Sequence, residues 1–194
     1  LRTRRTLLVT ALLVAGLLAN VYHTVPLRAQ SVDPIAANWI WAPLSDNANK
    51  AAGTCYFRKT FVLREDRDGS IDLACDGDYT LFVNGIKIAA GTGYAQMKRH
   101  PIGAYLRSGR NVVAIKATKS EPGPAGLLAS ITLNGAKPSA FQMVTNRTWK
   151  TSRGEKGGWQ RADFLDSSWQ AASIVATGSD TRIWKTPIAA TSTA

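Results

Sequence analysis

Short apolar runs that alternate with polar residues dominate the chain after its first 38 positions, and turn signals separate them. Apolar residues at every second position are typical of strands that bury one face. Seven strands are predicted on this basis, at residues 39–42, 55–64, 70–75, 79–83, 86–90, 111–118 and 127–133. Strands at this spacing, with no amphipathic helix of useful length between them, predict a mainly β, antiparallel sandwich.

The pair Asn84-Gly85, between two of the predicted strands, is the strongest local turn signal in the chain. A type I′ turn needs a positive φ at both central residues, and Asn followed by Gly adopts it readily. The strands at 79–83 and 86–90 are therefore expected to form an antiparallel hairpin.

The N-terminus carries a different signal, an apolar run at residues 7–25. As a helix these 19 residues would reach about 28 Å, close to the thickness of a hydrocarbon core. Arg2, Arg4 and Arg5 precede the run and only Arg28 follows it, which predicts a cytoplasmic N-terminus. The favoured interpretation is a retained single span in a bacterial inner membrane, with the remainder in the periplasm. A cleaved secretory signal is the alternative.

Small residues on one side of this predicted helix would let another transmembrane helix approach closely. They are Ala11, Ala15, Gly16 and Ala19. The predicted domain plan is an anchor or uncleaved signal at 1–26, a linker at 27–38, a β-sandwich at 39–187 and a small polar tail at 188–194.

The chain is basic, with a formal net charge of +11. Four of its 24 Lys and Arg residues lie in the first 30 positions, which leaves 20 against 13 Asp and Glu, a surplus of seven. No basic block is dense, and outside a membrane nucleic acid is not the expected partner. Anionic lipid headgroups or an acidic protein fit this charge better, and a solvated surface with a sign bias is the alternative.

Two cysteines, Cys55 and Cys75, both point toward the core of the predicted sandwich by strand alternation. In an exported domain this fits a disulfide that closes a loop of about 20 residues, worth roughly 3 kcal/mol in the chain-entropy model. It fits two buried free thiols equally. The candidate Cys55–Cys75 disulfide is the slightly favoured interpretation.

Several stretches of this chain resemble the galactose-binding-like β-sandwich, the jelly-roll module found beside the catalytic domains of glycoside hydrolase family two enzymes and bacterial rhamnosidases. The stretches that carry the resemblance are residues 39–41, 55–61, 78–85, 109–117 and 123–127. The likeness extends over about residues 38–186. It implies a jelly-roll fold more firmly than a ligand, because sugars, where members bind them, lie on loops at one end of the sandwich.

Two further expectations come with the resemblance. Members often carry a structural calcium, for which residues 66–69 offer two carboxylates and a glycine; otherwise no cofactor is expected. Sugar or partner contacts would be aromatic and polar side chains at loop tips. The candidates are Trp39, Trp41, Tyr79, Asn84, Trp149, Trp159 and Trp169. The tryptophans at 149, 159 and 169 also fit structural anchors that pin turns onto a core.

Catalytic constellations are weak in this sequence. His100 is a lone histidine without a nucleophile elbow, and Asp76 and Asp78 flank a glycine in what reads as a turn rather than a glycosidase carboxylate pair. The sequence therefore predicts a protein that is not an enzyme.

Two roles fit this sequence. The favoured one is a membrane-anchored scaffold subunit that stabilises a larger membrane protein complex, such as a bacterial photosynthetic reaction centre and light-harvesting assembly. The alternative is a secreted or anchored carbohydrate-binding module. The apolar segment at 7–25 decides in favour of the first, since a scaffold needs the anchor.

Overall fold

The computed structural model describes residues 37–43, 52–134, 141–180, 182 and 184. The predicted anchor, its small-residue face (Ala11, Ala15, Gly16 and Ala19), the linker up to residue 36 and the tail at 188–194 lie outside these residues. In the part that is described, no helix is long and apolar enough to cross a membrane.

The described residues form ten antiparallel strands. They are β1 (Asn38–Trp41), β2 (Gly53–Leu63), β3 (Gly69–Val83), β4 (Ile86–Pro101), β5 (Gly109–Lys119), β6 (Leu127–Leu133), β7 (Phe141–Val144), β8 (Lys150–Ser152), β9 (Gln170–Ala171) and β10 (Ser173–Thr177). The hydrogen-bonded order is β10-β1-β6-β3-β5-β2-β8-β9, with β4 beside β3 and β7 beside β6. The mainly β, antiparallel prediction is confirmed.

The strand β3 belongs to both layers of the sandwich. Its first half, from Gly69 to Cys75, pairs with β6, and its second half, from Asp78 to Val83, pairs with β5. β4 follows β3 through both halves, and the register shifts between Cys75 and Asp78. We call residues 75–78 the corner, because the hairpin bends there from one layer into the other.

The turn at Asn84-Gly85 closes this hairpin as predicted. Asn84 has φ 52° and Gly85 has φ 91°, so both central residues lie in the left-handed region that a type I′ turn requires. The hairpin is longer than the sequence pattern indicates. The predicted strands at 70–75 and 79–83 are one strand bent at the corner, and β4 continues past residue 90 to Pro101.

The main core lies between the two layers and is lined by the inward residues of every long strand. Two smaller apolar clusters cover the outer faces. One joins Trp39, Ala74, Met97, Leu128 and Trp184 among others, and the second joins Tyr56, Val112, Ala114, Trp159 and Trp169 with Ala162. Segments after β8 therefore act as covers that bury the outer faces of the sandwich.

The candidate Cys55–Cys75 disulfide is absent, and both cysteines are buried free thiols. Cys55 on β2 pairs with Ala117 of β5, whereas Cys75 on β3 pairs with Leu127 of β6, so the two cysteines lie on strands that are not hydrogen-bonded neighbours. Burial raises the pKa of the Cys55 thiol to about 12.

Candidate functional site

The corner is held by a buried carboxylate. Asp76 is 9% exposed, and its two oxygens accept hydrogen bonds from Lys119 Nζ and Trp184 Nε1, each at 2.8 Å. Its backbone N–H donates to the carbonyl of Gly126 at 2.9 Å. Asp76 thus connects β3, the end of β5 and the side chain of Trp184. Asp78, two residues on, is exposed, so the pair considered for glycoside hydrolysis consists of a structural carboxylate and a solvated one.

We expect Asp76→Asn to lower the free energy of unfolding by about 1–3 kcal/mol. An amide keeps one acceptor for Trp184 but leaves the ammonium of Lys119 without its anion at a largely buried position. Urea unfolding followed by tryptophan fluorescence measures the change. Asp78→Asn is the matched control and should stay within about 0.5 kcal/mol of the wild type; equal effects of the two substitutions would refute the structural role of Asp76.

Tyr79 and His100 form a second polar pair, on the inner side of the bent hairpin. The Tyr79 hydroxyl lies 2.9 Å from His100 Nε2, and the two rings meet edge to face. Burial, followed by the nearby charge of Lys98, lowers the pKa of His100, and burial raises the pKa of Tyr79. His100, a lone histidine in the sequence, is therefore half-buried, and it is the hydrogen-bond partner of the only polar atom of the Tyr79 side chain.

The candidate sugar contacts proposed from the sequence are not available to a ligand. All six aromatic candidates are buried, with exposures of 0% for Trp39, Trp41 and Trp149, 1% for Trp159, 2% for Tyr79 and 5% for Trp169. The polar candidate, Asn84, is also engaged: its amide nitrogen donates to the carbonyl of Tyr105 and to Asn111 Oδ1, and its oxygen accepts from Val112 N–H. The burial and hydrogen bonds of these residues show that they contribute to the packing of the fold.

Trp159, Ala162 and Trp169 pack on the outer face of β2 and β5, and we call residues 159–169 the tryptophan cover. One charged side chain of β2, Arg58, is buried beneath it. This side chain is fully buried and donates to Asp166 Oδ2 at 2.9 Å. It also donates to the carbonyl oxygens of Trp159, Arg161 and Phe164. The guanidinium lies over the Phe164 ring, 5.0 Å from its centroid. All of these partners follow residue 158, so Arg58 fastens the cover to β2.

The turn proposed for calcium, residues 66–69, uses its carboxylates within the protein. Asp66 Oδ1 accepts the N–H of Ser108 at 2.6 Å, and Asp68 Oδ1 accepts the N–H of Gly69 at 2.7 Å. No group of three His, Cys, Asp or Glu residues that could hold a metal ion is found among the described residues.

A cleft of about 310 Å³ opens beside this turn. We call it the arginine cleft; it is lined by Val62, Leu63, Arg64, Arg67, Leu133 and Phe141. Leu63 and Leu133 are core residues, whereas Val62 is 74% and Phe141 57% exposed. The cleft lies at the end of β2 that is remote from the corner, since Gly53 at the other end pairs with Lys119 and ten residues of strand span about 33 Å.

Sequence reasoning did not find the arginine cleft. The sequence offers residues 66–69 only as a candidate calcium turn, and Phe141 lies on a short strand, β7, that the alternation pattern does not predict. The one signal present is that large apolar residues at exposed positions, such as Val62 and Phe141, are informative when they lie together.

No protein-family model matches the chain. An α-L-rhamnosidase from Streptomyces avermitilis is 30% identical over 149 residues, which are 72% of this chain and 14% of that protein. The crystal structure of Streptomyces avermitilis α-L-rhamnosidase complexed with L-rhamnose has a TM-score of 0.71 at 28% identity, over 78% of this chain and 16% of that one. The chain therefore spans about one seventh of the length of this enzyme.

A lectin from Pleurotus ostreatus is also similar. Its apo form has a TM-score of 0.71 at 30% identity, over 81% of this chain and 46% of the lectin. The same lectin in complex with GalNAc has a TM-score of 0.69 at 26% identity, over 79% of this chain and 47% of the lectin. The resemblance predicted from the sequence is confirmed, because the relatives are rhamnosidase and lectin sandwiches.

Two predictions are overturned by these relatives. The role as a scaffold for a photosynthetic or other membrane complex is wrong, because the similar proteins are α-L-rhamnosidases and lectins. That prediction depended on the apolar segment at 7–25, which lies outside the described residues. The prediction that the protein is not an enzyme is contradicted as well, since the relative of 30% identity is an α-L-rhamnosidase.

Proposed function

We propose that this galactose-binding-like β-sandwich, of the kind present in α-L-rhamnosidases and in a lectin, contributes carbohydrate binding to a glycoside hydrolase. The observation that supports the proposal is the 28% identity to part of an α-L-rhamnosidase crystallised with L-rhamnose and the 26% identity to part of a lectin crystallised with GalNAc. Both of those proteins act on or bind sugars by their names. The proposal follows the alternative drawn from the sequence.

We place the carbohydrate in the arginine cleft. Its volume of about 310 Å³ falls at the lower end of the range of small-molecule sites, roughly 300–1,000 Å³. A sugar ring has apolar C–H faces and polar edges. The exposed ring of Phe141 offers a surface for the first, and the guanidinium groups of Arg64 and Arg67 offer donors for the second.

We expect Phe141→Ala to weaken the binding of L-rhamnose or GalNAc by about tenfold or more, because it removes the exposed apolar wall of the cleft. Isothermal titration calorimetry with each sugar measures the affinity. Phe141 is 57% exposed, so the variant should remain folded.

Leu165→Ala is the control, since Leu165 is 78% exposed and does not line the cleft. Unchanged binding in Phe141→Ala would move the site away from the cleft. If the wild type binds neither sugar and the native protein releases no L-rhamnose from rhamnosides, the proposed function is refuted.

A further inference from the structure

We propose that the arginine cleft selects an acidic carbohydrate, one in which a sugar ring carries a carboxylate. This inference rests on the proposed carbohydrate binding and names the chemical class of the ligand. Its first element is the presence of two arginines, Arg64 and Arg67, in the lining of one small cleft. The planar guanidinium matches a carboxylate with two parallel hydrogen bonds, a geometry that a neutral hydroxyl cannot use fully.

The second element is that Arg67 makes only a weak ion pair within the protein. Its Nη2 atom lies 3.2 Å from Glu65 Oε1, and the two side chains are 27% and 59% exposed. An exposed pair of this kind, only two residues apart in the chain, contributes little to stability and is readily exchanged. Glu65 therefore acts as a competitor that a ligand carboxylate can displace from Arg67.

The third element is that the other two carboxylates in this turn are hydrogen-bonded to backbone N–H groups. Asp66 accepts the backbone N–H of Ser108, and Asp68 accepts that of Gly69. Their short contacts of 2.6 and 2.7 Å keep both side chains on backbone donors, and neither lines the cleft. Arg64 and Arg67 thus supply the charge that faces a ligand.

The fourth element is the apolar surroundings of the two guanidinium groups. Val62, Leu63, Leu133 and Phe141 form the remaining walls. A sugar seated against them excludes water from the ion pair, which strengthens the attraction between carboxylate and guanidinium. A free inorganic anion lacks the C–H face that these walls contact, so a carboxylate on a sugar ring fits the cleft better than an anion alone.

The test compares a galacturonic acid trimer with a galactose trimer, which differ by carboxylate against hydroxymethyl on each ring. Isothermal titration calorimetry on the full chain should show the acidic trimer bound at least about tenfold more tightly. The double variant Arg64→Gln/Arg67→Gln should reduce this preference to about twofold or less. Glu65→Gln should raise the affinity for the acidic trimer several-fold and leave the neutral trimer unchanged, which a purely structural role of the turn would not produce.

The matched control is Arg107→Gln/Arg147→Gln, which removes the same two charges from exposed positions outside the cleft. This control should keep the preference. If the wild type binds the neutral trimer as tightly as the acidic one, the inference is overturned while carbohydrate binding stands. If hexaglutamate competes as well as the acidic trimer, the cleft recognises charge without the sugar, and the inference is again overturned. Failure to bind either trimer, L-rhamnose or GalNAc overturns the inference, and it refutes the proposed function as well if the native protein also releases no L-rhamnose from rhamnosides.

Discussion

Replacing Arg58 with methionine is expected to lower the free energy of unfolding by about 3–5 kcal/mol, a large share of the stability of a domain of this size. Methionine keeps much of the volume of the side chain. It leaves Asp166 without its cation and removes a donor from three carbonyl oxygens, of which only that of Arg161 keeps another donor, the N–H of Phe164. Such groups are expensive to bury unpaired, because the protein interior offers no water to replace the lost hydrogen bonds.

Urea unfolding with circular dichroism at equilibrium measures this change, and Arg99→Met is the control. Arg99 also makes two short hydrogen bonds to one carboxylate, Asp72, but its side chain is 40% exposed. Removing an exposed pair should cost about 0–1 kcal/mol. Equal losses in the two variants would show that burial of Arg58 does not determine its contribution. Combining Arg58→Met with Asp166→Asn should lose clearly less than the sum of the single changes, because the two groups are direct partners.

Arg58 also illustrates what strand alternation predicts and what it misses. The period of two correctly placed Cys55 and Phe57 toward the main core, and the opposite face was expected to meet solvent. Instead that face is covered by the segment after β8, so Tyr56 and Arg58 are buried as well. The partners of Arg58 lie more than 100 positions away in the chain, where no local pattern can indicate them.

The tryptophans show the same limit from the functional side. Aromatic residues in a sequence that resembles a sugar-binding sandwich are natural candidates for ligand contacts, yet large aromatic side chains also contribute most to covering a core. Here Trp39 stacks on Trp184, with ring centroids 4.6 Å apart, and Trp159 stacks on Trp169 at 6.3 Å. Exposure, which distinguishes the two uses, depends on the tertiary fold.

Of the features in the sequence, the family resemblance predicted the most about the structure. It depended on local strand and turn motifs such as 78–85, whose conformation is set by neighbouring residues, as the φ angles of Asn84 and Gly85 confirm. The arginine cleft depends on an approach between β2, the turn that follows it and β7. Its residues span positions 62 to 141, so it could be recognised only after the strands were assembled.

The corner supplies the second large effect: we expect Gly77→Ala to destabilise the fold by about 3 kcal/mol or more. Gly77 has a φ of 116°, which an L-residue with a Cβ adopts only with strain of about 1–3 kcal/mol. In addition, an added Cβ would overlap the carbonyl oxygen of Thr118 and lie 3.2 Å from Lys119 Cα. Both are backbone atoms of β5, so relief requires moving a strand of the core, which typically costs a further 1–3 kcal/mol or so.

Gly93 provides the matched control for this prediction, because it lies in β4 opposite the corner and also has a positive φ, of 94°. Nothing lies within 4 Å of a Cβ built on it, so Gly93→Ala carries the backbone strain without the overlap. The difference between the two variants in urea unfolding therefore isolates the close approach of the corner to β5. If Gly77→Ala were no more destabilising than Gly93→Ala, β3 would not pass from one layer to the other at this point against Thr118. The bend by which the hairpin of β3 and β4 passes from one layer into the other would then have to lie elsewhere in the hairpin.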